Sequence, residues 1–438
     1  MRQVISAPSR IDGVAAPPGD KSISHRAALL NVMARGTAHI SNFCAGDDRT
    51  SMLRCLNGLG ARIERKFPCP TCRSDECFVI EGRGPDGLSE PTDVLDAGNS
   101  GTTLRLVAGL LATRPFFTVI TGDSSLRGRP MDRIVRPLTE MGATLMGRRE
   151  TSQAPLAIQG GDLQGIDYAL PNASAQVKSC ILIAGMCAEG VTTVRQPAAS
   201  RDHTERMMRA MGADVEVDEL TVSVRRSELS PLDIHVPCDI SSAAFWLVAG
   251  CAHPNARITV REVGINPTRT GVLDVLQAMG ANIKVDAIRD EAGEPSADLV
   301  AQSSKLEGIE ISGDLIPRVI DELPVLALAA CFAKGTTVIK DAQELRVKES
   351  DRIRATVQTL SKLGAKIEER PDGMVIEGGA SLTGAECESY GDHRIAMTIG
   401  IAGLLAKGKV TIDGAESANA SYPEFWSTLH QLIEQHSL

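Results

Sequence analysis

Several short stretches of this 438-residue chain gather groups that hold anions and move protons. Lys21, Ser22 and Arg26 lie in Asp20-Lys21-Ser22-Ile23-Ser24-His25-Arg26. Lys348, Glu349 and Arg352 lie in Arg346-Val347-Lys348-Glu349-Ser350-Asp351-Arg352, and His393-Arg394 follows Gly391-Asp392. Asn99 and Gly101 stand in Gly98-Asn99-Ser100-Gly101-Thr102-Thr103. Arg129 stands in Arg127-Gly128-Arg129-Pro130, and Ser174-Ala175-Gln176, Ser200-Arg201 and Asp321-Glu322 stand elsewhere. Ammonium and guanidinium groups neutralise phosphates and carboxylates, Arg through two parallel hydrogen bonds. His, Lys and carboxylate side chains move protons. Lys348 and Arg352, four apart, are expected on one helix face with Glu349 beside them.

These residues stand where helices are expected to start, and the helices recur. The phrase apolar-Gly-Ala occurs at Leu59-Gly60-Ala61, Met141-Gly142-Ala143, Met211-Gly212-Ala213, Met279-Gly280-Ala281 and Leu363-Gly364-Ala365, with glycine spacings of 82, 70, 68 and 84. Each phrase ends a helical pattern and precedes an alternating run, as a glycine cap leading into a strand would. Short Thr- and Val-rich strands start in step near Gly36, Phe117, Gly190, Arg257, Gly335 and Lys409, each after an apolar helix. Six units of helix, strand, helix, turn and strand result, each of roughly 75 residues. The sixth stops after a helix over Pro423–Gln435, whereas Gln3–Val14 is strand-like with no helix before it. The N-terminal strand is therefore expected to complete the sixth unit. That closure predicts an α/β fold of two lobes, residues 1–19 plus 242–438 and residues 20–241, with crossings near Pro17-Pro18-Gly19 and Pro237-Cys238-Asp239. Singly, the Ser, Asp and Asn residues at the helix starts read as N-caps. Together, six helix N-termini with free N–H groups would line a cleft between the lobes that favours anions.

Forty-six Lys and Arg against 55 Asp and Glu give a net charge of −9. That sign opposes nucleic-acid binding, which leans on cations against phosphates, and leaves small anions as the expected ligands. With 43% hydrophobic and 23% charged residues the chain reads as globular. Aromatics are only 3%, so Ala, Leu, Ile, Val and Met must build the core. No apolar run reaches the roughly 18 residues of a membrane span, and Met1–Pro8 has no hydrophobic signal segment. Eleven cysteines, mostly in apolar stretches, read as reduced thiols and point to the cytoplasm.

Six strings, in order along the whole chain, resemble the 5-enolpyruvylshikimate-3-phosphate synthase family. They are Pro18-Gly19-Asp20-Lys21-Ser22-Ile23-Ser24-His25-Arg26, Gly98-Asn99-Ser100-Gly101-Thr102, Arg129-Pro130-Met131, Ser174-Ala175-Gln176-Val177-Lys178-Ser179, Arg346 to Arg352, and Asp392-His393-Arg394-Ile395-Ala396-Met397. The resemblance implies a two-lobed inside-out α/β fold of six βαβαββ repeats, three per lobe. It implies transfer of the enolpyruvyl group of phosphoenolpyruvate to the 5-hydroxyl of shikimate 3-phosphate, with release of phosphate, in chorismate and aromatic amino-acid biosynthesis. It implies that Lys21, Ser22, Arg26, Ser174, Ala175, Gln176, Ser200, Arg201, Asp321 and Lys348 hold shikimate 3-phosphate. Lys21, Asn99, Gly101, Arg129, Gln176, Lys348, Arg352 and Arg394 would hold phosphoenolpyruvate. Asp321 matches the family's base, and Lys21, Glu349 and His393 are the other acid/base candidates. No metal, cofactor or covalent nucleophile is implied, because fixed cations carry the charge and the substrate hydroxyl attacks. A monomer is expected.

Three features depart from better-known members. Ala420 stands where the family often has Lys, and Leu106 where many members have Pro; both changes recur in a branch often less sensitive to glyphosate. Gly101, by contrast, is commonly Ala in that branch, so Gly101 is expected to leave room for glyphosate as an inhibitor. The run Cys69-Pro70-Thr71-Cys72-Arg73-Ser74-Asp75-Glu76-Cys77 holds a C-x₂-C pair without a clear fourth zinc ligand, and a reduced, solvent-facing hairpin tip is expected there. The sister family that transfers enolpyruvyl to UDP-N-acetylglucosamine carries a reactive Cys in the loop matched by Gly122–Arg129, where this chain has none. A non-catalytic anion-binding relative would have lost an acid/base group, yet Lys21, Asp321, Glu349 and His393 are all present.

Overall fold

A computed structural model describes residues 1–69 and 75–434. The chain forms two compact units. One comprises Met1–Pro18, Pro237–Arg289 and Pro295–Leu438, the other Gly19–Val236 and Asp290–Glu294. The second break precedes the expected one at 241 because strand Ile234–His235 closes a sheet of its own unit, parallel to Ile40–Ser41. Pro237 then starts the return. Asp290–Glu294, the turn between strands Asn282–Glu291 and Glu294–Gln302, counts with the unit of Gly19–Val236, which the sequence pattern did not foresee.

Each unit holds three small sheets. In the Gly19–Val236 unit all three are four-stranded, and one runs Ile234–His235, Arg35–Ser41, Cys77–Arg83, Arg62–Lys66. Its outer pair is parallel and the other pairs antiparallel. In the other unit, Ile11–Ala15 lies parallel to Ala256–Gly264. Arg2–Ser6 runs antiparallel to Lys409–Asp413, with Val4 opposite Thr411. The N-terminal strand thus supplies the pairing that the sixth repeat lacks, and Gln3–Val14 resolves into two strands serving two sheets.

The repeat pattern places an apolar helix inside each unit and the sheets around it. Helix Leu323–Phe332, Leu-Pro-Val-Leu-Ala-Leu-Ala-Ala-Cys-Phe, is buried along all but its last residue, and helix Gly101–Leu111 is buried throughout. A helix apolar on every side has no solvent face. The strands instead alternate, as in Lys409–Asp413, where Val410 and Ile412 point inward and Lys409 and Asp413 outward. Helices inside and half-exposed sheets outside make an inside-out α/β fold. Gly60, Gly142, Gly212, Gly280 and Gly364 all have positive φ, the conformation a helix-ending glycine supplies without steric cost.

Two helix expectations need correction. The helix expected to start near Arg129 starts later: Leu126–Gly128 is a 3₁₀ turn and the helix runs Asp132–Glu140, so Arg129 stands ahead of it. Likewise Lys348 and Arg352 do not share a helix face. Gln343–Val347 is 3₁₀, Lys348 is extended, and the helix starts at Arg352 behind the N-cap Asp351, whose side chain accepts from Arg354 N. An Asp at this position favours a helix start over a helix interior.

Candidate active site

In the Gly19–Val236 unit, three inner helices present the predicted residues from their first turns. Asp20 caps helix Lys21–Met33 by accepting from Ile23 N at 2.9 Å, so Lys21 and Ser22 occupy its first turn. Arg26, one turn on, is 2% exposed and donates to Thr204 Oγ1 (2.6 Å), Ser22 O (2.9 Å) and Ser179 Oγ (2.7 Å). Those bonds use three of its five N–H groups. Burial lowers its guanidinium to about 10, with Glu205 opposing and Arg201 adding, so it stays cationic at neutral pH. Arg201 Nη1 lies 3.5 Å from Ser22 Oγ. Ser174 caps helix Ala175–Gly185 at Val177 N, setting Ala175 and Gln176 in its first turn. Ser200 Oγ donates to Gln196.

A second group forms around helix Gly101–Leu111, capped by Ser100. Arg129 Nη2 donates to Asn99 Oδ1 at 2.6 Å, and Asn99 Nδ2 to Asp123 Oδ2 at 2.6 Å. Arg129 Nε is shut from water with no acceptor among the described residues. Gln176 is clamped, its Oε1 accepting from Arg105 Nη1 (2.5 Å) and its Nε2 donating to Thr102 Oγ1 (2.9 Å). A Cβ on Gly101 would stand 2.8 Å from Arg105 Nη1 and 3.4 Å from Arg129 Nη1. Sequence reasoning assigned no role to Arg105; a charged residue in an apolar helix, four after Gly101, was the signal.

In the other unit, Arg352 is the hub. It is 2% exposed and reaches three carboxylates: Asp392 through Nε (2.8 Å) and Nη2 (3.3 Å), Glu349 through Nη2 (2.6 Å) and Asp321 through Nη1 (3.3 Å). Burial disfavours its charge, but Asp392, Glu349 and Asp321 outweigh that and hold its pKa above the ordinary value. Lys348 Nζ lies 3.9 Å from Asp321 Oδ1 and 3.4 Å from Glu344 Oε1. Asp321 does not occupy the cap of the next helix: Glu322 stands there, without a side-chain cap bond.

Asp392, fully buried, caps helix His393–Leu405 by accepting from Arg394 N at 2.9 Å, and Ser350 Oγ donates to it at 3.0 Å. Burial would raise its pKa, but Arg352 and His393 lower it. Burial, then the Arg394 charge, pushes His393 down to about 4, so its imidazole is neutral at pH 7. Arg394 is 6% exposed, and its Nε and Nη1 are shut from water with no acceptor among the described residues. Asp392 was quoted in a sequence motif without a role; its position ahead of His393-Arg394 was the signal.

Side chains cap five of the six inner helices: Asp20, Ser100, Ser174, Asp239 and Asp392. The helix ends are therefore partly satisfied internally, and attraction for anions shifts toward Arg129, Arg394 and their neighbours. Nine of the ten cysteines among the described residues are buried, and Cys187 is partly so. Burial raises the thiols of Cys55, Cys180, Cys251 and Cys331 to about 12, out of reactive range. The expectation of a solvent-facing hairpin tip fails at its ends, since Cys69 and Cys77 are buried; strand Cys77–Arg83 turns Cys77 inward. Cys72 lies outside the described residues. No helix among the described residues is long and apolar enough to cross a membrane.

Known proteins match this arrangement along nearly the whole chain. The family model described as EPSP synthase (3-phosphoshikimate 1-carboxyvinyltransferase) matches residues 5–429. The 3-phosphoshikimate 1-carboxyvinyltransferase of Synechococcus sp. (strain JA-3-3Ab) is 53% identical over 436 residues, covering 98% of this chain and 97% of its own. That of Desulfitobacterium hafniense (strain DSM 10664 / DCB-2) is 52% identical, covering 98% and 97%. The solved EPSP synthase from Acinetobacter baumannii superposes with a TM-score of 0.87 at 42% identity, covering 99% and 98%. The enolpyruvyl transferase NikO from Streptomyces tendae shares the fold, with a TM-score of 0.79 at 18% identity, covering 98% and 96%. The chain belongs to the EPSP synthase (3-phosphoshikimate 1-carboxyvinyltransferase) family.

Proposed function

We propose that the chain transfers the enolpyruvyl group of phosphoenolpyruvate to the 5-hydroxyl of shikimate 3-phosphate, releasing phosphate, in the shikimate pathway to chorismate and the aromatic amino acids. Family membership over nearly the full length supports the reaction. The observation that carries the site assignment is Arg394, a buried guanidinium whose Nε and Nη1 meet no acceptor among the described residues. Buried donors without partners are costly, and a substrate carboxylate or phosphate supplies the missing acceptors. Arg129 Nε is likewise buried without an acceptor among the described residues.

Lys21, Ser22, Arg26, Ser174, Ala175, Gln176, Ser200 and Arg201 hold shikimate 3-phosphate, aided by Asp321 and Lys348. Lys21, Asn99, Gly101, Arg129, Gln176, Lys348, Arg352 and Arg394 hold phosphoenolpyruvate. Asp321 takes the proton of the 5-hydroxyl as its oxygen bonds to C2 of phosphoenolpyruvate. Lys21 or Glu349 protonates the methylene carbon, giving a tetrahedral adduct. Loss of a methyl proton then re-forms the double bond and expels phosphate. His393 enters at neutral pH as a neutral imidazole. The cations oppose the negative charge that grows on the phosphate, and their preset positions lower the barrier. Glyphosate competes with phosphoenolpyruvate in this assignment, the protein acts as a monomer, and its largely buried cysteines suit the cytoplasm.

Phosphate release tests the reaction. With phosphoenolpyruvate present, shikimate 3-phosphate should trigger release and UDP-N-acetylglucosamine should not; the reverse pattern would overturn it.

A further inference from the structure

We propose that Lys178 and Glu205 are positioning residues for the phosphorylated acceptor: a buried ion pair that pins the backbone at Ser200. Lys178 lies in the inner helix Ala175–Gly185, followed by Ser179-Cys180-Ile181-Leu182, and is 1% exposed. Glu205 lies in helix His203–Ala210 and is 2% exposed. Their charged atoms are 2.6 Å apart. An ion pair so deep contributes little net stability over apolar side chains of similar volume, because both charges lose their hydration. Its use here is geometric. Lys178 Nζ also donates to the Ser200 carbonyl at 3.4 Å, tying the turn that carries Ser200 and Arg201 to the inner helix.

The adjacent residues make a parallel tie. Ser179 Oγ and Thr204 Oγ1 lie 2.6 Å apart, and Arg26 donates to both. Two successive residues of one helix thus grip two of the other, and the Ser200–Arg201 turn sits ahead of the second helix. The backbone of that turn is held from within, on the side of the inner helix, while the Arg201 side chain lies near Ser22.

This assignment rests on Ser200 and Arg201 binding shikimate 3-phosphate, so Arg201→Ala is measured alongside. Lys178→Met/Glu205→Met removes both charges together and avoids a lone buried ion. We expect it to raise KM for shikimate 3-phosphate about tenfold, with kcat and KM for phosphoenolpyruvate within about threefold of the parent. Lys178→Arg, which keeps a cationic donor opposite Glu205, should hold KM for shikimate 3-phosphate within about threefold of the parent. An unchanged KM for shikimate 3-phosphate in the double variant, while Arg201→Ala raises it, overturns the positioning role alone. An unchanged KM in Arg201→Ala overturns the binding assignment and the positioning role with it. If the double variant does not fold, Glu205→Gln, which keeps the volume and loosens Lys178, decides: a rise in KM for shikimate 3-phosphate of about fivefold or more supports the role and a smaller change overturns it.

Discussion

Arg352 Nε lies 2.8 Å from Asp392 Oδ2, and the Asp392 carboxylate also accepts from Arg394 N at 2.9 Å. One buried carboxylate therefore holds Arg352 by its side chain and sets the helix start from which Arg394 projects. Two of the three predicted phosphoenolpyruvate-binding arginines thus share a single support.

Asp392→Asn isolates that support. Asn caps a helix about as well as Asp, so the turn should persist while Arg352 loses the carboxylate it meets through both Nε and Nη2. Glu349 and Asp321 remain, so the cost should sit at the low end of a broken buried pair, about 3 kcal/mol. Urea unfolding followed by the fluorescence of Trp246 and Trp426 measures it, and a change below about 1 kcal/mol would refute the role. KM for phosphoenolpyruvate should rise about tenfold or more. Because Asp392 is held below its ordinary pKa, its stabilisation is complete above the unfolded-state value near 3.9 and is lost as pH falls through the folded-state value. The variant and parent should therefore differ by a constant amount from pH 6 to 8, pH values chosen to lie above that titration.

His393 gives a pH dependence of known sign. Its folded pKa is about 4, below the ~6.5 of an unfolded histidine. Between those values the unfolded chain binds the extra proton, so stability falls as pH drops from about 6.5 toward 4. The full loss is about 3 kcal/mol. His393→Gln should flatten that part of the stability profile and leave pH 8 nearly unchanged. In the ligand-free protein the His393 ring should titrate near 4 by NMR. A midpoint near 6.5 would contradict the burial that produces the shift.

Much of this was legible from residue types. The five Gly-Ala phrases announced positive-φ helix ends, and the missing last strand announced that Arg2–Ser6 pairs with Lys409–Asp413. These signals sufficed because a glycine turn is set by its own residue, and a repeat that stops one strand short shows its gap by counting against the other five. What sequence did not yield depends on three-dimensional neighbours. The spacing of Lys348 and Arg352 predicted a shared helix face, but the cap at Asp351 starts the helix later, and the two cations converge on Asp321 from different backbone conformations. The clamp of Arg105 and Thr102 on Gln176 joins residues more than 70 positions apart, which no periodicity reveals.

Gly101 sets the room beside that clamp. An added Cβ would press on Arg105 Nη1 at 2.8 Å, and Arg105 cannot yield freely while it holds Gln176. Gly101→Ala should therefore raise KM for phosphoenolpyruvate several-fold and weaken glyphosate inhibition more strongly. Inhibition against phosphoenolpyruvate in parent and variant checks both expectations. A parent enzyme indifferent to millimolar glyphosate would show that Gly101 does not govern access.

Arg394 should trade stability for binding. Its Nε and Nη1 are buried without acceptors among the described residues, and an unsatisfied buried donor costs about 1–3 kcal/mol, more when charged. Arg394→Met keeps much of the side-chain volume and removes those donors, so the variant should unfold at higher urea concentration than the parent. The same change takes away the planar fork that two substrate oxygens would meet, and kcat/KM for phosphoenolpyruvate should fall about 100-fold or more. Ligand addition separates the two effects. Shikimate 3-phosphate with phosphoenolpyruvate or glyphosate should stabilise the parent well beyond shikimate 3-phosphate alone, whereas in Arg394→Met the second ligand should add little. A variant that is less stable than the parent and still gains from the second ligand would show that Arg394 serves the fold and not the substrate.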